Sequence, residues 1–259
     1  MNFLVPLNEI EKKLSRRGFV RSTLGTAGLV GLSGLNLAAY ANDQQAENAE
    51  KIMESSRDLP YIAMTEDGPL YPPVEIPWMD DLTSINNGRA QGRVLHLFGQ
   101  VLSRHGRPLQ NAIVEIWQTD INGHYLHPRA WGQDKLDPHF GYFGKAKTNR
   151  EGYYSFKTIR PRWYSLPPFG GDTRGHIPRA AHIHIKVKHV EHGVSTTEAY
   201  FENVSHEEIA PKDVVFLSRP KKVRDVIVLE ENSPRDYPGM DIDFEKDAIC
   251  CRYDMAFLL

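Results

Sequence analysis

The segment Arg179-Ala180-Ala181-His182-Ile183-His184-Ile185-Lys186-Val187 places two imidazoles two residues apart among strand-forming residues. In a strand successive side chains alternate faces, so His182 and His184 share one face while Ile183, Ile185 and Val187 turn to the core. Two imidazoles at that spacing can both reach one metal ion. The pattern suits equally a strand whose polar face, extended by Lys186 and Lys188, is simply solvated. A zinc hydrolase would add a third histidine or a carboxylate and keep one position open. An iron(II) oxygenase would set one carboxylate beside the pair. No HExxH spacing occurs. What the long loops offer instead is tyrosine: Tyr125 after the Asn122-Gly123 turn, and Tyr164 after Arg160-Pro161-Arg162-Trp163. Each is a candidate phenol ligand and, taken singly, an ordinary structural aromatic.

These residues need a scaffold, and the chain reads as strands. Arg93 to Ser103, Ala112 to Gln118, Tyr153 to Ile159, His182 to Lys188, Thr196 to Phe201, Val226 to Leu229 and Cys250 to Phe257 are rich in β-branched and aromatic residues. Asn122-Gly123 is a strong turn signal before His124-Tyr125-Leu126. Turns punctuate the strands, no long 3.6-residue periodicity appears, and no internal repeat is present. Short strands with almost no helix predict an all-β fold, an antiparallel β-sandwich. Residues 126–150 and 160–181, rich in Gly, Pro and aromatics, are expected as its long active-site loops.

Ahead of the sandwich, Ser15-Arg16-Arg17-Gly18-Phe19, a mild apolar stretch from Leu24 to Leu37 and Ala39-Tyr40-Ala41 arrive in the order of a secretory signal. The paired arginines specify the twin-arginine type, with cleavage after Ala41. The apolar run is too short and glycine-rich for a stable membrane span. The expected organisation is therefore a signal peptide over 1–41, an extended proline-rich arm over 42–89 and the sandwich over 90–259, exported to the periplasm or beyond. A formal charge of -2 gives no reason to expect a nucleic acid partner. The only cysteines, Cys250 and Cys251, are adjacent, where a bridge would be strained, and read as two small apolar residues on the last strand.

Several segments together resemble the intradiol ring-cleavage dioxygenases, particularly the iron-bearing chain of the protocatechuate enzymes. They are GQVLSRHGRPLQNAIVEIWQTDINGHY (99–125), LDPHFGYFGKAKTNREGYYSFKTIRPRWY (136–164), RAAHIHI (179–185), AYFE (199–202) and CRYD (251–254). The resemblance implies Fe(3+) held by Tyr125, Tyr164, His182 and His184, with phenolates favouring the ferric state. It implies a catechol-type substrate bound through both oxygens, Tyr164 accepting substrate protons, and O2 splitting the ring between its hydroxyls to a muconate-type diacid. Arg179 would stabilise negative charge developing on the ring. The role expected is aromatic compound catabolism by a homo-oligomer, with or without a homologous second chain.

Some residues depart from the pattern. Glu198 stands where the family often has glutamine, Ser165 and Leu166 follow Tyr164 where protocatechuate enzymes have Pro and Trp, and the arm's carboxylate-holding tyrosine has no clear counterpart. Glu198, if it lines the pocket, would repel a substrate carboxylate. Residues 99–117 alone also suit a transthyretin-like binding module without catalysis. The intact set of four ligands and Arg179 argues for the enzyme.

Overall fold

Alternation along the chain builds two sheets whose apolar faces meet. The computed structural model describes residues 67–166, 177–201 and 212–257. The expected signal peptide with its cleavage point, and residues 42–66 of the arm, lie outside them. The first strands are β1 (Val94–Leu102), β2 (Ile113–Gln118), β3 (Phe143–Lys147), β4 (Tyr153–Ile159) and β5 (Tyr164–Leu166). They are followed by β6 (Ile177–Arg179), β7 (His182–His189), β8 (Gly193–Phe201), β9 (Val228–Leu229), β10 (Ile249–Arg252) and β11 (Met255–Ala256). One sheet runs β3-β2-β7-β8-β9, and the other is built on β1, flanked by β4 on one edge and by β10 and β11 on the other. Leu95, Leu97 and Phe156 from the second sheet pack with Val114, Ile116, Ile183, Ile185 and Val187 from the first in a single buried core. The expected sandwich is what forms.

Its edges are less uniform than expected. β10 and β11 join β1 in parallel, and β9 joins β8 in parallel. Parallel neighbours need a long crossover rather than a tight turn, and residues 230–248 lead from β9 in one sheet to β10 in the other. Those residues also cover the outer face of β1, where Phe98 meets Tyr237 at 4.9 Å and His96 meets Phe244 at 5.2 Å. That is why β1 is buried on both faces.

The two long loops carry more structure than their composition suggests. Residues 126–150 contain β3, and residues 160–181 contain the β5–β6 hairpin, in which Tyr164 pairs with Arg179. The turn expected at Asn122-Gly123 forms, and Tyr125 after it lies in irregular backbone. Before β9 the chain is helical: α1 (Val214–Leu217) and α2 (Lys221–Ile227) take up part of the segment expected as strand. Pro220 opens α2, Lys221 pairs with Asp225 one turn on, and Ile227 is buried beside Tyr200. The described part of the arm packs on the sandwich, with Leu82 in the core and Leu70 beside Trp117.

Candidate metal centre

Strand register assembles the histidine side of the site. Across the outer face of the five-stranded sheet, Trp117 on β2 stands opposite His184 on β7, which stands opposite Glu198 on β8. His182 stands opposite Tyr200 in the same way. A slip of one residue would turn Ile183 and Ile185 outward and bury the imidazoles in the core, so the apolar face fixes the position of the polar one. Both histidines are nevertheless buried, because the arm and the β5–β6 hairpin lie over this face. The solvated-strand reading therefore does not hold for them.

The two rings converge. His182 Nε2 and His184 Nε2 are 3.1 Å apart, and the Tyr164 hydroxyl is 3.5 Å from His182 Nε2. The Ala180 carbonyl accepts from His182 Nδ1 at 2.7 Å, which leaves the Nε2 lone pair facing the centre. The His184 ring stacks on Trp117 with centroids 4.8 Å apart and an interplanar angle of 2°. Tyr125 lies edge-on to Tyr164 at 4.9 Å. Burial holds His182 well below the ordinary histidine range, with Arg179 adding to the effect, and lowers His184 to about 4 against the pull of Glu198. Both imidazoles are thus neutral near pH 7, the form that binds metal. Burial pushes Tyr125 well above its ordinary value and Tyr164 up to about 12, with Arg179 opposing the shift at Tyr164.

The turn carrying Tyr125 is fastened to the segment carrying Tyr164. Asp120 accepts from the backbone amides of Asn122 and His124 and from the Tyr142 hydroxyl, at 2.9, 3.0 and 2.9 Å. The Thr119 hydroxyl donates to the Arg162 carbonyl at 2.7 Å. Gly123 has φ of +85°, and a Cβ there would lie 2.6 Å from the Trp163 carbonyl oxygen, so only glycine permits the approach.

A metal ion fits these residues. Two metal–imidazole bonds of about 2.0–2.1 Å on one ion separate the nitrogens by roughly 3 Å, as observed. The Tyr125 hydroxyl and His184 Nδ1 are buried without a sound hydrogen bond, a cost that a cation accepting the phenolate would relieve at Tyr125. Glu198, weighed in the sequence as a possible pocket residue, does stand by the histidines. Glu198 Oε1 lies 3.8 Å from His182 Nε2 and from His184 Nδ1, and the three side chains form a possible ligand group. Both Glu198 oxygens are already engaged, however. Oε1 accepts from Arg179 at 3.0 Å, and Oε2 accepts from Tyr200 at 3.2 Å and from Arg219.

Arg179 is no surface arginine. It is 4% exposed, and besides Glu198 it donates through Nε to Asp213, at 3.2 Å to each oxygen, and through Nη2 to Tyr200 at 2.8 Å. Asp213 further caps α1 and accepts from the Ala180 amide at 2.9 Å. Sequence reading missed Trp117, Tyr200, Asp213 and Arg219. Counting out from a β7–β8 hairpin at residues 189–193 would have placed Tyr200 opposite His182; Asp213 and Arg219 carry no local signal.

The tyrosine arm has a partial counterpart. Tyr71 reaches the site's edge, but its ring packs on Trp117 and its hydroxyl donates to Glu115 at 2.9 Å. It is thereby committed away from the centre.

Comparison with known proteins agrees with this geometry. A family model described as "Dioxygenase" matches residues 66–250, most of the chain. The protocatechuate 3,4-dioxygenase beta chain of Burkholderia cepacia is 30% identical over 172 residues, 65% of this chain and 70% of that protein. The chain belongs to the intradiol ring-cleavage dioxygenases. Catechol 1,2-dioxygenase 2 of Acinetobacter lwoffii is 36% identical to it over 129 residues, and the match spans 45% of that relative's length. The crystal structure of 3-chlorocatechol 1,2-dioxygenase from Rhodococcus opacus 1CP shares its fold, with a TM-score of 0.55 and 20% identity over 80% of this chain and 77% of that one. This dioxygenase is thus an oxidoreductase of an iron-dependent family, and the non-catalytic binding-module reading finds no support. Among the described residues no helix is long and apolar enough to cross a membrane.

Proposed function

We propose that the centre holds Fe(3+) through Tyr125, Tyr164, His182 and His184, and that the protein uses O2 to cleave catechol-type rings between their hydroxyls. The observation that carries this is the convergence of His182 Nε2, His184 Nε2 and the Tyr164 hydroxyl beside the unpartnered hydroxyl of Tyr125. A ligand set of the two histidines and Glu198 is disfavoured because guanidiniums and Tyr200 already occupy the carboxylate. When bound, ferric iron supplies a Lewis acid that draws electron density from a chelated catechol and opens a ring carbon to dioxygen, with a muconate-type diacid as product.

The chain's own groups account for binding and proton handling. His182, fixed by its bond to the Ala180 carbonyl, cannot swing away from the centre. Tyr164 sits on a short hairpin rather than in the sheet, and its phenolate oxygen is placed to accept a catechol proton. Arg179, its strand partner, eases ionisation of the Tyr164 phenol against the effect of burial. The buried rings of Trp117, Tyr125 and Tyr164 exclude water around them.

Export by the twin-arginine route to the periplasm or the extracellular space belongs to the same proposal, supported by the order of Arg16-Arg17, the apolar stretch and Ala39-Tyr40-Ala41. So does assembly as a homo-oligomer, with or without a homologous second chain, on the ground of the family resemblance. The test is the visible spectrum of the purified protein with metal analysis on the same sample. A tyrosinate-to-iron(III) band that shifts on anaerobic addition of catechol is expected. A protein that stays colourless after iron reconstitution overturns the ferric reading.

A further inference from the structure

The centre includes a charge arrangement that metal binding does not require. Two guanidiniums, Arg179 and Arg219, interlock with two carboxylates, Glu198 and Asp213. Glu198 bridges the guanidiniums, one oxygen to each, and Asp213 takes the remaining edge of Arg179. Tyr200 donates to Glu198 and accepts from Arg179. Glu198 is ion-paired to both guanidiniums, to Arg179 at 3.0 Å and to Arg219. The formal charges of the four interlocked groups therefore cancel.

Glu198 decides that sum. A neutral amide of the same shape at this position would leave the group with one net positive charge a few ångströms from the histidines. A ring-borne carboxylate brought to the centre would be attracted by that charge, whereas the cancelled arrangement offers it nothing and costs its hydration. Two unit charges about 8 Å apart at an effective dielectric near 20 alter an affinity by roughly 30-fold. We infer that Glu198 is a specificity-determining residue: clamped between Arg179 and Arg219 beside the two imidazoles, it cancels the arginine charge and restricts the site to catechols without an anionic ring substituent. The inference rests on the catechol-binding reading above. Arg219 is the positioning residue of the pair, since it holds the second carboxylate oxygen, and its own Nε is buried without a hydrogen bond.

The test compares the iron-loaded full chain with its Glu198→Gln and Arg219→Gln variants. Catechol and 3,4-dihydroxybenzoate are titrated anaerobically by calorimetry, and iron content is measured on each sample. Wild type should prefer catechol. Glu198→Gln should raise the affinity ratio of 3,4-dihydroxybenzoate to catechol at least tenfold with iron retained, and Arg219→Gln should lower it. A merely structural role would weaken both ligands alike and leave the ratio in place. An unchanged ratio in both variants overturns the inference, as does loss of iron from Glu198→Gln, which would make the carboxylate a ligand. If one variant does not fold, the sign of the change in the other decides. A wild-type holoprotein that binds neither catechol overturns the underlying reading and this inference with it, whereas wild-type catechol binding with unmoved ratios overturns this inference alone.

Discussion

His182 and His184 sit on β7, which is hydrogen-bonded along both edges to β2 and β8. Tyr125 lies in a turn, and Tyr164 opens the two-stranded β5–β6 hairpin. The four side chains lie together, with the Tyr125 ring 4.9 Å from that of Tyr164 and 6.4 Å from that of His184, but what fixes them differs. The histidines inherit their place from a register that the core enforces, so moving them means unpairing a sheet. The tyrosines depend on a few side-chain-to-backbone bonds around Asp120 and Thr119. On the proposed ligation, the centre would have a rigid half in the sheet and an adjustable half in the turn and the β5–β6 pair.

Substitutions can break or sharpen that contrast. His182→Ala removes a ligand from the rigid half and should abolish iron binding; full occupancy by metal analysis would break the ligand assignment. Tyr164→Phe, in the adjustable half, should keep part of the iron while turnover falls by a factor on the order of 100 or more, the usual weight of a positioned proton acceptor. Unchanged steady-state activity would remove Tyr164 from the mechanism. Ile185→Ala opens a cavity directly behind His184 and should cost about 3 kcal/mol by denaturant unfolding, with iron content close to wild type in the protein that remains folded. Asp120→Ala should cost less, about 2 kcal/mol, yet lower iron occupancy more, because it frees the turn that carries Tyr125. If the core variant loses more iron than the turn variant, the division into halves is wrong.

The smallest effect concerns pH. His184 titrates near 4 in the folded chain, below its ordinary value of 6.5, because it is buried. Between those values the unfolded chain binds the proton and the folded chain does not, so the metal-free protein should gain stability as pH rises from about 4 to 6.5 and level off above. A stability curve falling across that window would contradict neutral, buried histidines.

Where alternation was strong, the sequence was a good guide. Ile183, Ile185 and Val187 against His182 and His184 gave both the core face and the site face, and β4 occupies the span expected for it, Tyr153–Ile159. β3 was hidden because FGKAK carries little of the strand signature. Its Gly144 is there for a close approach, since a Cβ would lie 2.2 Å from the Met79 carbonyl oxygen of the overlying arm. The β5–β6 hairpin and the parallel partners of β1 depend on pairings across long connections, which local pattern does not encode. Of the site, the four candidate ligands and Arg179 were legible from their segments taken together. Asp213 and Arg219 were not, because they enter from a helical segment that only the tertiary fold brings beside β6 and β8.

The chain's two thiols add a consequence for handling the protein. Cys250 and Cys251 on β10 are free and fully buried, and burial raises both, Cys250 to about 11. Alkylating reagents need an exposed thiolate, and neither sulfur offers one while β10 stays paired to β1. Alkylation of the native protein therefore serves as a clock for detachment of that sheet edge, and mass spectrometry can read it without an added label at the metal centre.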